Sequence, residues 1–264
     1  MPSDAPALAA ADLLWPQWDA DARVGALMST RAGGVSTAPW DSLNLGLAVG
    51  DDAVAVAENR RRFVQQMGAR PVWLHQVHGT AVARATAALA EAAPQRADAV
   101  WTDEPGVACI VQVADCLPVL LAAPEGRAVA AAHAGWRGLA GGVVEAALAA
   151  LCEGARCTPA QVSAWLGPCI GPRRFEVGAD VLQGFGKTPA AADPQRFAPA
   201  PAAGDGTPRW WAHLPRLARD RLQQAGVQRI HGGEGCTVEE RGRFFSYRRD
   251  GITGRMAAAV WIRR

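Results

Sequence analysis

The sequence lacks a strong charge of either sign: 27 Lys and Arg stand against 25 Asp and Glu, a formal net charge of +2 over 264 residues. Such a balance creates no general field for nucleic acid or an anionic membrane, so any anion must be recognised by local arginines. A long apolar run is also missing. The longest is interrupted by Asp115, Cys116 and Pro118, short of the ~18 uninterrupted apolar residues of a membrane span. The opening MPSDAPALAAADLLW has no basic stretch ahead of its apolar residues and soon meets acids and Pro16. That pattern argues against a secretory signal and for a cytoplasmic protein. Six cysteines over the whole chain are too few for the framework of a small secreted domain. Thiols or metal ligands are therefore expected in place of disulfides. The five histidines include one pair within three residues, His75 and His78, a poor supply for a centre built from many imidazoles.

What is present fits a soluble globular enzyme: half the residues are hydrophobic and a fifth are charged. The length allows one large domain, taken here as 1–264, and no internal repeat is evident. A first strand is predicted over 23–31, then a Gly- and Ser-rich loop to Asp52. Asp51 or Asp52 caps a helix over 53–67, closed by Gly68. Short strands fit 71–75, 81–86 and 97–102, and one long strand fits GVACIVQVADCLPVLLAA, with Pro118 marking an edge, a bulge or a strand end. RAVAAAHAGWRG reads as a strand breaking into a glycine-flanked turn, and LAGGVVEAALAAL as the helix that follows. Next come a strand in QVSAWLGP, a turn and a helix from about Val177. The Ala-, Pro- and Gly-rich tract 188–208 is predicted to be an inserted surface loop. A helix over 211–225 and strands in RFFSYRR and MAAAVWI complete the chain. Strands joined sometimes by helices and sometimes by hairpins predict an α+β (α/β-like) fold, a mixed sheet core layered with helices.

Polar groups inside apolar patterns are the chemical clue. His78, Cys116 and His133 are soft or borderline ligands in such settings, at intervals of 38 and 17 residues. Two imidazoles and a thiolate suit zinc, and three protein ligands leave a fourth place for water or substrate. Spacing alone does not separate this reading from packed core residues.

The strings LNLG, ENR, QVHG, ADCLPVLL, HAGWRG, LGPCIGP, FEVG and FFSYRRDGITGR follow one another from residue 43 to 255. Together they resemble the laccase-domain, YfiH-type family of purine nucleoside phosphorylases over nearly the whole chain. The resemblance implies a zinc ion on His78, Cys116 and His133, with His75 as a neighbour. It also implies phosphorolysis of adenosine, inosine, guanosine and methylthioadenosine, with adenosine deaminase activity beside it. Purine nucleosides and phosphate would be the partners, with no nucleic acid or membrane, and a monomer is favoured.

Alternation along a strand turns Asp115 away from a metal on Cys116 unless the backbone is bulged, so it is expected to orient a histidine or an arginine, with a general-base role as the alternative. Arg137 follows His133 by four residues at a helix start, where it could receive phosphate. Asn44, Arg60, Arg248 and Arg249 are substrate-binding candidates from the same strings, Cys169 belongs to the wall, and Trp136 is the tryptophan nearest in sequence to the metal. Competing readings remain: a copper polyphenol oxidase, with Cu2+ in place of zinc; a cysteine hydrolase, such as a peptidoglycan editing factor, with Cys116 as nucleophile and His133 as base; and a zinc-stabilised binding module.

Overall fold

A computed structural model describes residues 8–264; the first seven, part of the opening segment discussed above, lie outside the described residues. Two sheets form the centre. One has five strands in the order Leu13–Leu14, Val24–Ser29, Met256–Ile262, Val107–Val113 and Arg70–Val72, antiparallel except for the last pair. The other has six, in the order Arg229–Gly232, Ser163–Leu166, Leu117–Ala122, Val129–Ala134, Ala99–Thr102 and Val82–Arg84, with parallel pairs only at its two ends.

The period-two alternation of these strands builds the layers. Met28, Val111 and Val260 of the five-stranded sheet pack with Leu120, Val129 and Ala131 of the six-stranded one. Their sequence neighbours Leu27, Ile110 and Ala259 turn outward onto Phe63 and Met67, at and beyond the end of the helix Ala53–Gln65. On the far side, Val119, Leu121 and Ala132 meet the helices Val143–Ala155 and Leu214–Gln224. The order is helix, sheet, sheet, helix. Strands covered on both faces need apolar residues at every position, which is why they read as continuous runs and not as alternating ones. Each fully buried Leu or Val there contributes about 1.5–3 kcal/mol.

The mixed, layered fold agrees with the expectation from the sequence, but several boundaries differ. The long apolar run is two strands, Val107–Val113 and Leu117–Ala122, which belong to different sheets; residues 114–116 carry the chain between them. The helix expected over 139–151 starts earlier and is split by Gly142, whose φ of 100° ends Trp136–Gly141 before Val143–Ala155 begins. The tract 188–208 is not all loop, because Phe197–Ala200 pairs with Arg209–Ala212. That second strand takes the start of the helix expected at 211, and His213 caps the helix Leu214–Gln224 instead. Near Val177 a short strand, Glu176–Val177, precedes the helix Ala179–Gly184. RFFSYRR is not a strand. Phe244 and Phe245 are consecutively buried, and Ser246 caps the short helix Tyr247–Asp250. No helix among the described residues is long and apolar enough to cross a membrane.

Candidate metal centre

The passage between the sheets supplies the first donor. After Val113 the chain bends through Asp115, whose φ of 89° breaks the strand and lets Cys116 face a cavity. His133 is the fifth residue of Val129–Ala134 and pairs in register with Pro118, so the sheet itself carries it beside Cys116. His78 comes from a loop, with a φ of 60°. The ligand atoms of His78, Cys116 and His133 all lie within 4.8 Å of one another, and Cys116 Sγ is 3.7 Å from His78 Nε2. Gly135 makes this approach possible. A Cβ there would come within 3.0 Å of Cys116 Sγ and 2.8 Å of the His78 ring.

Asp98, fully buried just before the strand Ala99–Thr102, holds the arrangement from behind. Its carboxylate accepts the backbone N–H groups of Val77 (3.1 Å), His78 (2.9 Å) and Gly79 (2.7 Å), and it pairs with His133 Nδ1 at 2.8 Å. Burial opposes its charge, but the hydrogen bonds from His133, Gly79 and Val77 prevail and hold its carboxyl below the usual range. With Nδ1 engaged, the Nε2 of His133 is left for a ligand role. Burial likewise pushes the Cys116 thiol up, yet the charge and hydrogen bond of His133, and then His78, outweigh it and lower the thiol to about 6. His133 is raised in turn, against its own desolvation, by Cys116 and Asp98. A cysteine sulfur flanked by two imidazoles is a donor set that a divalent cation satisfies.

The cluster lies in a cavity of about 780 Å³. Asp115 reaches its wall, 8% exposed, with Oδ1 accepting from Thr237 Oγ1 at 2.5 Å and Oδ2 from the Arg248 backbone N–H at 2.6 Å. Both oxygens are thus committed, one to the Thr237 hydroxyl and the other to the main chain of an arginine, and neither to a histidine. Arg60 and Arg248 line the cavity, as do His75 and Trp136. Asn44 is buried behind it, where it bonds Gly46, Asp51 and the Arg255 N–H and so shapes the LNLG wall. Arg249 donates to the carbonyls of Thr237, Val238 and Phe244 and to Asp250, outside the lining. Arg137 is exposed, its guanidinium 4.4 Å from the Trp136 ring, and does not line the cavity. Cys169 is buried behind the lining residue Ile170, and all six cysteines are free thiols. Sequence reasoning missed Asp98, Gly135 and Arg255. The glycine-flanked turn was a signal for Gly135, and the string ending in GITGR was one for Arg255; nothing local marks Asp98.

Comparison with known proteins gives one consistent set. Residues 25–263 match the family model described as multi-copper polyphenol oxidoreductase laccase. A Pseudomonas aeruginosa protein named purine nucleoside phosphorylase is 50% identical over 94% of this chain and 98% of its own length. The Escherichia coli protein named purine nucleoside phosphorylase YfiH is 46% identical over 95% of this chain and 98% of its own length. Among solved structures, a Neisseria meningitidis protein superposes with a TM-score of 0.86 at 46% identity, over 96% of this chain and all of that one. YlmD from Geobacillus stearothermophilus gives 0.80 at 33% identity, over 92% and 93% of the two chains.

Proposed function

The chain belongs to the multi-copper polyphenol oxidoreductase laccase family, and from that premise we propose that it is a zinc-dependent purine nucleoside phosphorylase. Its substrates are adenosine, inosine, guanosine, methylthioadenosine and inorganic phosphate, with adenosine deamination as a second activity. One observation carries this: His78, Cys116 and His133 converge within 4.8 Å in a cavity that is also lined by arginines. Zinc bound there supplies a Lewis acid with one place left for a reactant. Asp98 keeps His133 in the tautomer that presents Nε2 and holds the His78 loop. Asp115 fixes Arg248, and the guanidinium groups of Arg248 and Arg255 offer positive charge to phosphate; this takes over the role expected of Arg137. Six free thiols suit a reducing compartment, and a cytoplasmic monomer is the form proposed.

Donor supply favours a single ion over a multicopper centre. The His78, Cys116 and His133 group is the one such cluster among the described residues, while His213 caps a helix and His231 bonds Asp19. A lone copper at the same donors is the competing metal. Metal analysis of protein purified without added copper is expected to give one zinc per chain, and stoichiometric copper would overturn the choice of metal. The function is tested by incubating zinc-loaded protein with adenosine with and without phosphate. Adenine and ribose 1-phosphate should form only with phosphate and inosine in both, and the proposal fails if none of these appears.

One feature favours a cysteine hydrolase as a second reading: the Cys116 thiol, lowered to about 6, contacts an imidazole. The thiolate is the reactive form, so alkylation of metal-free protein should be lost as pH falls through about 6, where an ordinary thiol loses it near 8.5. Added zinc should suppress the reaction. Equal rates with and without zinc would favour the hydrolase and remove Cys116 from the ligand set.

A further inference from the structure

Two thiols that take no part in the metal centre meet where a helix ends. The helix Val143–Ala155 stops at Arg156, whose φ of 52° turns the chain back on itself. The Cys157 N–H then donates to Cys152 O at 3.1 Å, so the two cysteines are joined through their main chains. A disulfide spans Cα atoms about 4.4–6.8 Å apart, and a direct main-chain bond between the two residues keeps them in that range. Their sulfurs already stand 4.0 Å from each other. Both residues are half-buried and not sealed in the core.

The six-stranded sheet separates this pair from the metal donors. Leu148, Leu151 and Ala155 of the helix pack with Ala132 and Ala134, and alternation along Val129–Ala134 turns His133 to the opposite face. Cys116 packs on that opposite face too, against the cluster that holds Leu120, Val129 and Ala131. The other thiols are placed differently. Cys109 is fully buried. Cys169 and Cys236 face each other across an isolated bridge, but Cys169 is buried and Cys236 Sγ accepts the Gly171 N–H at 3.3 Å. Burial, and then the neighbouring Cys157, push the Cys152 thiol up. Cys152 therefore stays neutral, and a disulfide is an uncharged product in the same half-apolar setting.

We propose that Cys152 and Cys157 form a reversible redox pair, a modification site that low-molecular-weight disulfides oxidise to a bridge closing the C-terminal end of the helix Val143–Ala155. The thiolate of one cysteine attacks the small disulfide, breaking its S–S bond and releasing one small thiol. The thiolate of the other then attacks the protein sulfur of the mixed disulfide, forming the Cys152–Cys157 bond and releasing the second small thiol. The pair gives up two electrons and two protons, and the small disulfide takes them up as two thiols. In a reducing compartment the pair stands open, and it closes when the pool of small disulfides rises. The bridge makes covalent a turn otherwise held by the Cys157 N–H bond and by the Arg156 N–H on Glu153 O.

The test is incubation of the full-length, zinc-loaded protein with excess oxidised glutathione, followed by intact mass, thiol titration in denaturant with chelator, and mapping of the bridged peptide. Wild-type protein should lose two hydrogens and two of its six titratable thiols, with the bridge at Cys152 and Cys157 and the zinc content unchanged. Dithiothreitol should restore both thiols. Cys152→Ser and Cys157→Ser should each keep one glutathione on the remaining partner in place of a bridge. In the bridged wild type, amide exchange of Arg156 and Cys157 should slow. The proposal is overturned if wild-type protein keeps all six thiols, if the bridge maps to Cys169 and Cys236, if bridging expels zinc, or if exchange at Arg156 and Cys157 is unchanged. It is overturned as well if either serine variant still loses two thiols. The first four outcomes are read on wild-type protein, so a poorly folding substitution does not shelter the idea. None of them depends on the phosphorylase reading, which stands or falls with adenosine cleavage.

Discussion

At the candidate metal centre, the segments carrying two of the three donors, His78 and His133, are tied together by one buried carboxylate, whereas along the cavity walls the arginines are held by ring faces and a few carbonyls. Asp98 is fully buried and satisfied by four hydrogen bonds, which fix the His133 ring and the main chain at His78. Arg248 is exposed, and its ring contact allows a range of poses. Cations demand fixed distances from their ligands, while phosphate accepts guanidinium groups over a wider set of approaches. The two regions thus match the tolerance of what each is proposed to hold.

Removing that carboxylate should damage the metal centre most. Asp98→Asn places an amide where three N–H groups converge, and it should lower metal affinity about 10–100-fold. Stability should fall by about 3 kcal/mol, since buried donors lose their acceptor. Chelator competition and urea unfolding measure the two effects, and wild-type values in both would remove Asp98 from its proposed role. Gly135→Ala should come next. Its methyl group presses on Cys116 Sγ and the His78 ring, so metal affinity is expected to drop about tenfold while unfolding shifts by only about 1–2 kcal/mol. If affinity stays unchanged, the cluster is looser than the contrast requires. The smallest effect belongs to the wall: Arg248→Gln should raise KM for phosphate several-fold at unchanged zinc content. Loss of zinc in that variant would show that the two regions are not separable.

The candidate metal trio was legible partly because each member interrupts an apolar or glycine-marked pattern, an anomaly visible within a few residues, and partly because the strings around it resemble a known family. Asp98 was not, because it sits in RADAVWTD among other polar residues. Its importance comes from loop amides some twenty residues away, which no local spacing encodes. The break at Asp115 was hidden for a related reason: Val107–Val113 and Leu117–Ala122 are equally apolar, and composition does not reveal that they enter different sheets. In RFFSYRR, adjacent phenylalanines suggested a strand, but Ser246 accepting from the Arg249 N–H is a helix cap. The tract 188–208 concealed its strand because Pro199 and the surrounding alanines carry little β signal, and pairing with Arg209–Ala212 decides the outcome.

The three residues that carry the chain from one sheet to the other also deliver the sulfur. A slip of a single register step between Leu117–Ala122 and Val129–Ala134 would swing Cys116 away from His133 while leaving most of the hydrophobic contacts replaceable. Catalytic competence is therefore a report on assembly: refolding molecules should regain it together with correct pairing of these two strands, and misaligned ones should be silent rather than sluggish.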